Sequence, residues 1–162
     1  MLSLIKQILT DIREAHLPKW VFRLILICAS IGFLDATYLS IEHLLGVLGG
    51  DGSVNCIVGA SGSCNIVLQS IYSEVLGIPL SYLGLLYYTT ILIIVVTLHK
   101  KRDIRLWHLL QGIIAFGFLT SLYLVYLQLF ILYTVCPYCM LSAAMSVIMF
   151  GAVVWQRVKN RV

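Results

Sequence analysis

Cys136-Pro137-Tyr138-Cys139 heads an uncharged apolar run, MLSAAMSVIMFGAVVW, spanning Met140–Trp155. Pro137 suits the first turn of a helix, where its missing N–H costs nothing. Spacing i, i+3 sets both sulfurs on one helical face, close enough to bond. A helix N-terminus favours negative charge, so at least one of these thiols ionises more readily than an ordinary cysteine. A thiolate that attacks, beside a thiol that resolves the product, makes a redox unit. The plain alternative is a pair of core cysteines in a membrane helix. These four residues alone leave both readings open.

The run after Cys139 is one of four. With 162 residues, 60% of them hydrophobic, and a mean hydropathy of +0.99, the chain carries more apolar side chain than a soluble domain of its size can bury. Trp20–Leu45, Ile78–Leu98, Leu106–Tyr133 and Cys136–Trp155 are each long enough to cross a bilayer, which takes about 20 residues of helix. The first run is too long and starts too late for a cleaved signal peptide. The expected fold is an all-α integral membrane bundle of four transmembrane helices, in one domain.

All 11 Lys and Arg residues fall in three clusters: Lys6 to Arg23, Lys100 to Arg105, and Arg157 to Arg161. With four spans the clusters share one side, which the positive-inside rule makes cytoplasmic. The net charge of +4 is thus a topology signal and not a nucleic-acid-binding face. The expected organisation is an amphipathic cytoplasmic segment over 1–19, a membrane domain over 20–156 with an outer loop at 46–77, and a basic cytoplasmic tail at 157–162. Leu2, Ile5, Ile8, Leu9 and Ile12, interleaved with charges, give the first segment its apolar face. Ile66, Val67, Ile71 and Val75 suggest a short outer helix over Asn65–Glu74.

Among the polar residues of the first span, Asp35 stands out. An acid at that depth is expensive and faces a cavity or a partner. It serves as a proton route or holds a structural hydrogen bond, and the sequence does not choose. Cys28 reads as a small buried apolar residue. Glu42 and His43 fall near the outer water boundary. Tyr82, Tyr87, Tyr88, Tyr123, Tyr126 and Tyr133 suit interfacial belts or the wall of a flat-ring pocket.

Four of the five cysteines, Cys56, Cys64, Cys136 and Cys139, fall on the outer, oxidising side. They could form static staples, bind zinc, or exchange electrons between pairs. Zinc fits poorly, because Cys56 and Cys64 lack the short knuckle spacing of four-cysteine sites. A staple across one helical turn at Cys136–Cys139 constrains little. There are no strands around the Cys-x-x-Cys for a soluble thioredoxin fold. A membrane dithiol needs a membrane electron partner, and a quinone takes two electrons and two protons, as a dithiol gives them.

Cys56-x₇-Cys64, Ser70, Gly77-Ile78-Pro79-Leu80-Ser81 with Gly84, and Cys136-Pro137-Tyr138-Cys139 resemble, in that order, the motifs of the vitamin K epoxide reductase family, of the bacterial stand-alone type. The resemblance implies a four-helix bundle around a quinone, capped by a loop and a short outer helix. It implies that Cys139 reduces the quinone, that Cys136 is its partner and exchanges with Cys64, and that Cys56 and Cys64 take electrons from a soluble periplasmic thioredoxin-fold thiol oxidant. On this reading Cys139 leaves as a thiolate beside the quinone. Ser70 is the family's near-site serine. The animal enzymes' quinone-contacting Asn and Tyr fall at Leu80 and Ala143 here, so ubiquinone or menaquinone is expected and not vitamin K epoxide. Cys139, Leu80, Ala143 and, of the tyrosines, Tyr88 are the expected quinone-binding positions. Without a fused thioredoxin domain, the protein partner is expected to be separate. The implied setting is the bacterial inner membrane, with both termini cytoplasmic and the redox cysteines periplasmic. The rival reading is a non-enzymatic membrane protein with structural disulfides.

Overall fold

A computed structural model of the chain describes residues 18–49, 73–75, 77–101 and 103–161. Four helices long and apolar enough to cross a membrane dominate it. They are α1 (Lys19–Gly49), α2 (Leu80–Lys101), α3 (Ile104–Phe130) and α4 (Pro137–Arg161). Two-residue strands β1 (Glu74–Val75) and β2 (Ile78–Pro79) pair antiparallel ahead of α2. The amphipathic segment expected at 1–19 lies outside the described residues up to position 17. So does the outer loop from 50 to 72.

The helices form a closed ring. α1 packs on α2 and α4, α3 packs on α4, and α2 meets α3 along the most sparsely packed seam. The core runs through Val21, Ile25 and Ala29 of α1, Ile91 and Val95 of α2, Leu110 and Ile114 of α3, and Met149 and Val153 of α4. In hydrocarbon every backbone polar group needs a partner within the protein, which helices supply. Hydroxyls inside the spans follow the same rule. Ser30, Thr37, Ser40, Thr89 and Thr97 each donate to the carbonyl four residues back, at 2.7–2.8 Å.

Alternation of direction separates two ends. At the basic end Trp20 meets Trp155 edge to face at 4.8 Å, Phe22 stacks on His99 at 4.3 Å, and Lys159 sits over the Trp155 ring. At the loop end Tyr38 meets Tyr138 at 5.1 Å and His43 meets Tyr82 at 6.2 Å. Both cysteines of the Cys-x-x-Cys are at the loop end.

The element boundaries correct the sequence expectations in four places. α1 runs to Gly49, so the outer loop expected from 46 begins after that residue. The second span begins at Leu80, because Ile78 and Pro79 are extended and pair with Glu74 and Val75. Gly77 has φ +78 in the intervening turn, a conformation that favours glycine. The helix expected over 65–74 does not include its last residue, since Glu74 is in β1; residues 65–72 lie outside the described residues. The third span ends at Phe130 and not at Tyr133. Ile131 and Leu132 both donate to the Leu127 carbonyl, Thr134 donates to that of Gln128, and Tyr133 adopts φ 49. This turn returns the chain to Cys136. At the other end of α3, Asp103 caps the helix by accepting from the Arg105 N–H at 2.9 Å.

Gly32 is required by packing. A methyl group there would strike the face of the Tyr88 ring, which crosses from α2 onto α1. We expect Gly32→Ala to destabilise the protein by about 1–3 kcal/mol, the usual cost of overpacking a filled core. Thermal unfolding in detergent measures this, and an unchanged midpoint contradicts the close approach.

Candidate functional site

The site is built from the turn that ends α3 and the cap that starts α4. Cys136 is the N-cap residue and Pro137 the first helical position, where a missing N–H is harmless. The Cys136 carbonyl takes the first helical hydrogen bond, from the Met140 N–H at 3.0 Å. Its own N–H donates to Oε1 of Gln128 at 3.0 Å. Gln128 is itself 3% exposed and lies eight residues back on α3. One residue therefore ties the turn twice, by its carbonyl to Thr134 and by its side chain to Cys136.

Cys136 is fully buried, packed with Leu39, Tyr38, Tyr138 and Cys139. A hydrogen bond from the Cys139 thiol pulls it down from the ordinary thiol range to about 7, against the opposing effect of burial; the backbone N–H groups of Cys139 and Tyr138 add to the pull. This is N-cap chemistry with sulfur in place of oxygen. The expectation that one thiol ionises readily thus falls on Cys136. Cys139, one turn further on, holds the donating proton.

Above about 7 Cys136 is a thiolate, and below it the sulfur takes up a proton. In the reduced protein carrying Cys28→Ala, Cys56→Ala and Cys64→Ala, ultraviolet thiolate absorbance is expected to rise with pH around that midpoint. A midpoint in the ordinary thiol range contradicts the capping assignment.

Cys139 is half-buried and opens onto a cavity of about 630 Å³ between the four helices at the loop end. Leu80, Tyr88 and Ala143 line the same cavity, so all four positions named from the sequence as quinone contacts meet there. Ser73, directly ahead of β1, lines it too. The walls are mostly aliphatic and aromatic. Leu86 and Phe116, exposed on the outer surface of the bundle, also border it, so the cavity reaches the lipid-facing side at the α2–α3 seam. Tyr88 is locked in place: its hydroxyl donates to the Ser142 carbonyl at 2.9 Å and lies 2.8 Å from Ser142 Oγ. Cys56, Cys64 and Ser70 lie outside the described residues.

Three polar side chains on the cavity wall are buried without hydrogen-bond partners among the described residues: both oxygens of Asp35, Oγ of Ser81 and the hydroxyl of Tyr87. An orphaned polar atom in such a place costs free energy unless a ligand meets it. An apolar slot with a few unsatisfied polar atoms and a thiol on its wall fits a flat ring bearing carbonyl oxygens.

Sequence reasoning missed Gln128. Its signal was available, since an uncharged amide within an apolar span near its end is itself unusual. Its partner, however, depends on the course of the 131–135 turn. Residues 23–154 match the sequence model of the vitamin K epoxide reductase family. A search of curated proteins finds no match.

Proposed function

The chain belongs to the vitamin K epoxide reductase family, a family of membrane thiol oxidoreductases, and on that premise we propose that it reoxidises a soluble thioredoxin-fold protein and passes the electrons to a quinone. The observation that carries this reading is the seating of Cys139 on an apolar cavity beside the capped sulfur of Cys136. When bound, the quinone accepts two electrons and two protons.

The protein's own residues do the rest. A thiolate of the reduced partner attacks the Cys56–Cys64 disulfide at Cys56, and the second partner thiol resolves the mixed disulfide. The partner leaves oxidised and the loop pair is left reduced. Cys64 then attacks Cys136 in the Cys136–Cys139 bond, and Cys139 is released toward the cavity. Cys56 resolves the Cys64–Cys136 link, which restores the loop disulfide and leaves Cys136 and Cys139 reduced. Cys139 gives up the electron pair, and the Cys136 thiolate closes the bond to Cys139. The low proton affinity of Cys136 suits it to this resolving role at neutral pH. The positive-inside rule, applied to the three basic clusters, supports a loop end on the outer, oxidising side, where the partner would be met.

Ubiquinone and menaquinone both suit the cavity, while Leu80 and Ala143 offer no hydrogen bond from their side chains. The test is anaerobic oxidation of a reduced thioredoxin-fold protein by the purified chain with a soluble ubiquinone or menaquinone analogue. The expected result is one quinol formed per disulfide made. Thiol loss without quinol, or neither, contradicts the proposal. A protein held only by structural disulfides would in addition resist opening by a mild reductant and would not be reoxidised by quinone.

A further inference from the structure

We propose that Asp35 hands one of the two protons to the quinone as Cys139 gives up the electron pair, an inference that rests on the reading above of a quinone in this cavity. Asp35 is 7% exposed, and both its carboxyl oxygens are buried without a hydrogen-bond partner among the described residues. It lines the cavity from α1, across from Cys139 on α4 and Tyr88 on α2. An acid at that depth with nothing bound to it is costly, and the packing of the bundle returns nothing for it. A ligand oxygen in the cavity would repay the cost.

The other polar groups on the wall are poorer candidates. The Tyr88 hydroxyl proton is committed to the Ser142 carbonyl. Ser81 and Tyr87 can each offer a hydrogen bond, but an aliphatic hydroxyl does not give up its proton and a phenol is a far weaker acid than a carboxyl. Asp35 has two uncommitted oxygens, and either can hold a proton. Among the described residues, Tyr88 from α2, Cys136 at the cap of α4 and Cys139 within it sense its charge. They belong to the cavity and its edge, so the carboxyl and the sulfurs form one unit.

The proton count calls for such a group. With Cys136 ionised and Cys139 protonated, the reduced pair holds one proton. Forming the Cys136–Cys139 bond releases that proton and two electrons. Reduction of a quinone to a quinol consumes two electrons and two protons. Cys139 provides one proton and Asp35 the other. The carboxylate left behind takes up a proton from water at the loop end before the next turnover. Charge and atoms then balance: the negative charge that began on Cys136 ends on Asp35.

The experiment compares wild type, Asp35→Asn and Asp35→Glu, all fully reduced, in a single turnover with a soluble quinone analogue. Asp35→Asn is expected to slow quinol formation about 100-fold, at the lower end for loss of a general acid. Asp35→Glu is expected to recover most of the rate. Infrared difference spectra supply a readout independent of turnover. The wild-type carboxyl stretch, assigned by its displacement in Asp35→Glu, is expected to shift when quinone is added to the oxidised protein. Asp35→Asn working at the wild-type rate overturns the inference, as does a carboxyl band that quinone leaves unmoved. Should Asp35→Asn fail to fold, the infrared result and the Asp35→Glu rate decide. A wild type that reduces no quinone overturns the proposed function and this inference together, whereas an active wild type matched by Asp35→Asn overturns this one alone.

Discussion

Cys139→Ala is expected to reduce no quinone, whatever the electron donor. Cys139 is the cysteine of the pair that lines the cavity, while Cys136 is sealed behind it among Leu39, Tyr38 and Tyr138. On the proposed relay, every route for electrons therefore ends on one sulfur. Removing a nucleophile on which all turnover depends costs on the order of 10³-fold or more, and no neighbouring group substitutes for it. The loss should be the same with a protein partner and with a small dithiol. Because the alanine is smaller than the cysteine and the cavity is already open there, folding should survive, and thermal unfolding checks that it does. Quinol formation by Cys139→Ala with any donor contradicts the assignment.

Cys56→Ala is expected to behave differently with the two donors. With the thioredoxin-fold partner, oxidation should fall to background, because the proposed entry point is gone. With a small dithiol, quinol formation should continue at close to the wild-type rate. A small dithiol is expected to attack the Cys136–Cys139 bond at Cys139, the half-buried sulfur on the cavity wall, because thiol–disulfide exchange depends on access as well as thiolate content. Failure of Cys56→Ala with both donors, in the manner of Cys139→Ala, means that the proposed relay order is wrong.

The four spans were legible because a bilayer demands about 20 consecutive apolar residues, and the chain has four such runs. Their ends were less so. Phe130 ends α3 because Leu132 and Thr134 bond back to Leu127 and Gln128, and hydropathy does not report such bonds. Ile78 looked like span but pairs as strand, since the Gly77 turn folds β2 onto β1. At the site, residue type and order brought Cys139, Leu80, Tyr88 and Ala143 to one expected role. The long-range contacts that shape the cavity were not readable. Tyr88 reaches Ser142 from 54 positions away, and its ring depends on Gly32 on a third helix. Nor did spacing say which thiol of the pair ionises. That follows from Cys136 falling at the cap while Cys139 lies inside the first turn. Asp35 was conspicuous in the sequence for its depth, but its lack of a partner emerged only from the packed bundle.

On the proposed function, the cysteine pair at the head of α4 passes its electron pair to a quinone held in the adjoining cavity. The most direct measurement mixes fully reduced Cys56→Ala, Cys64→Ala protein with a quinone analogue, without oxygen or any donor. It follows quinol absorbance while mass spectrometry counts the alkylatable thiols. One quinol per protein is expected, with the thiols of Cys136 and Cys139 lost together and Cys28 still alkylatable after denaturation. Quinone left oxidised, or quinol formed while both thiols remain, would contradict it.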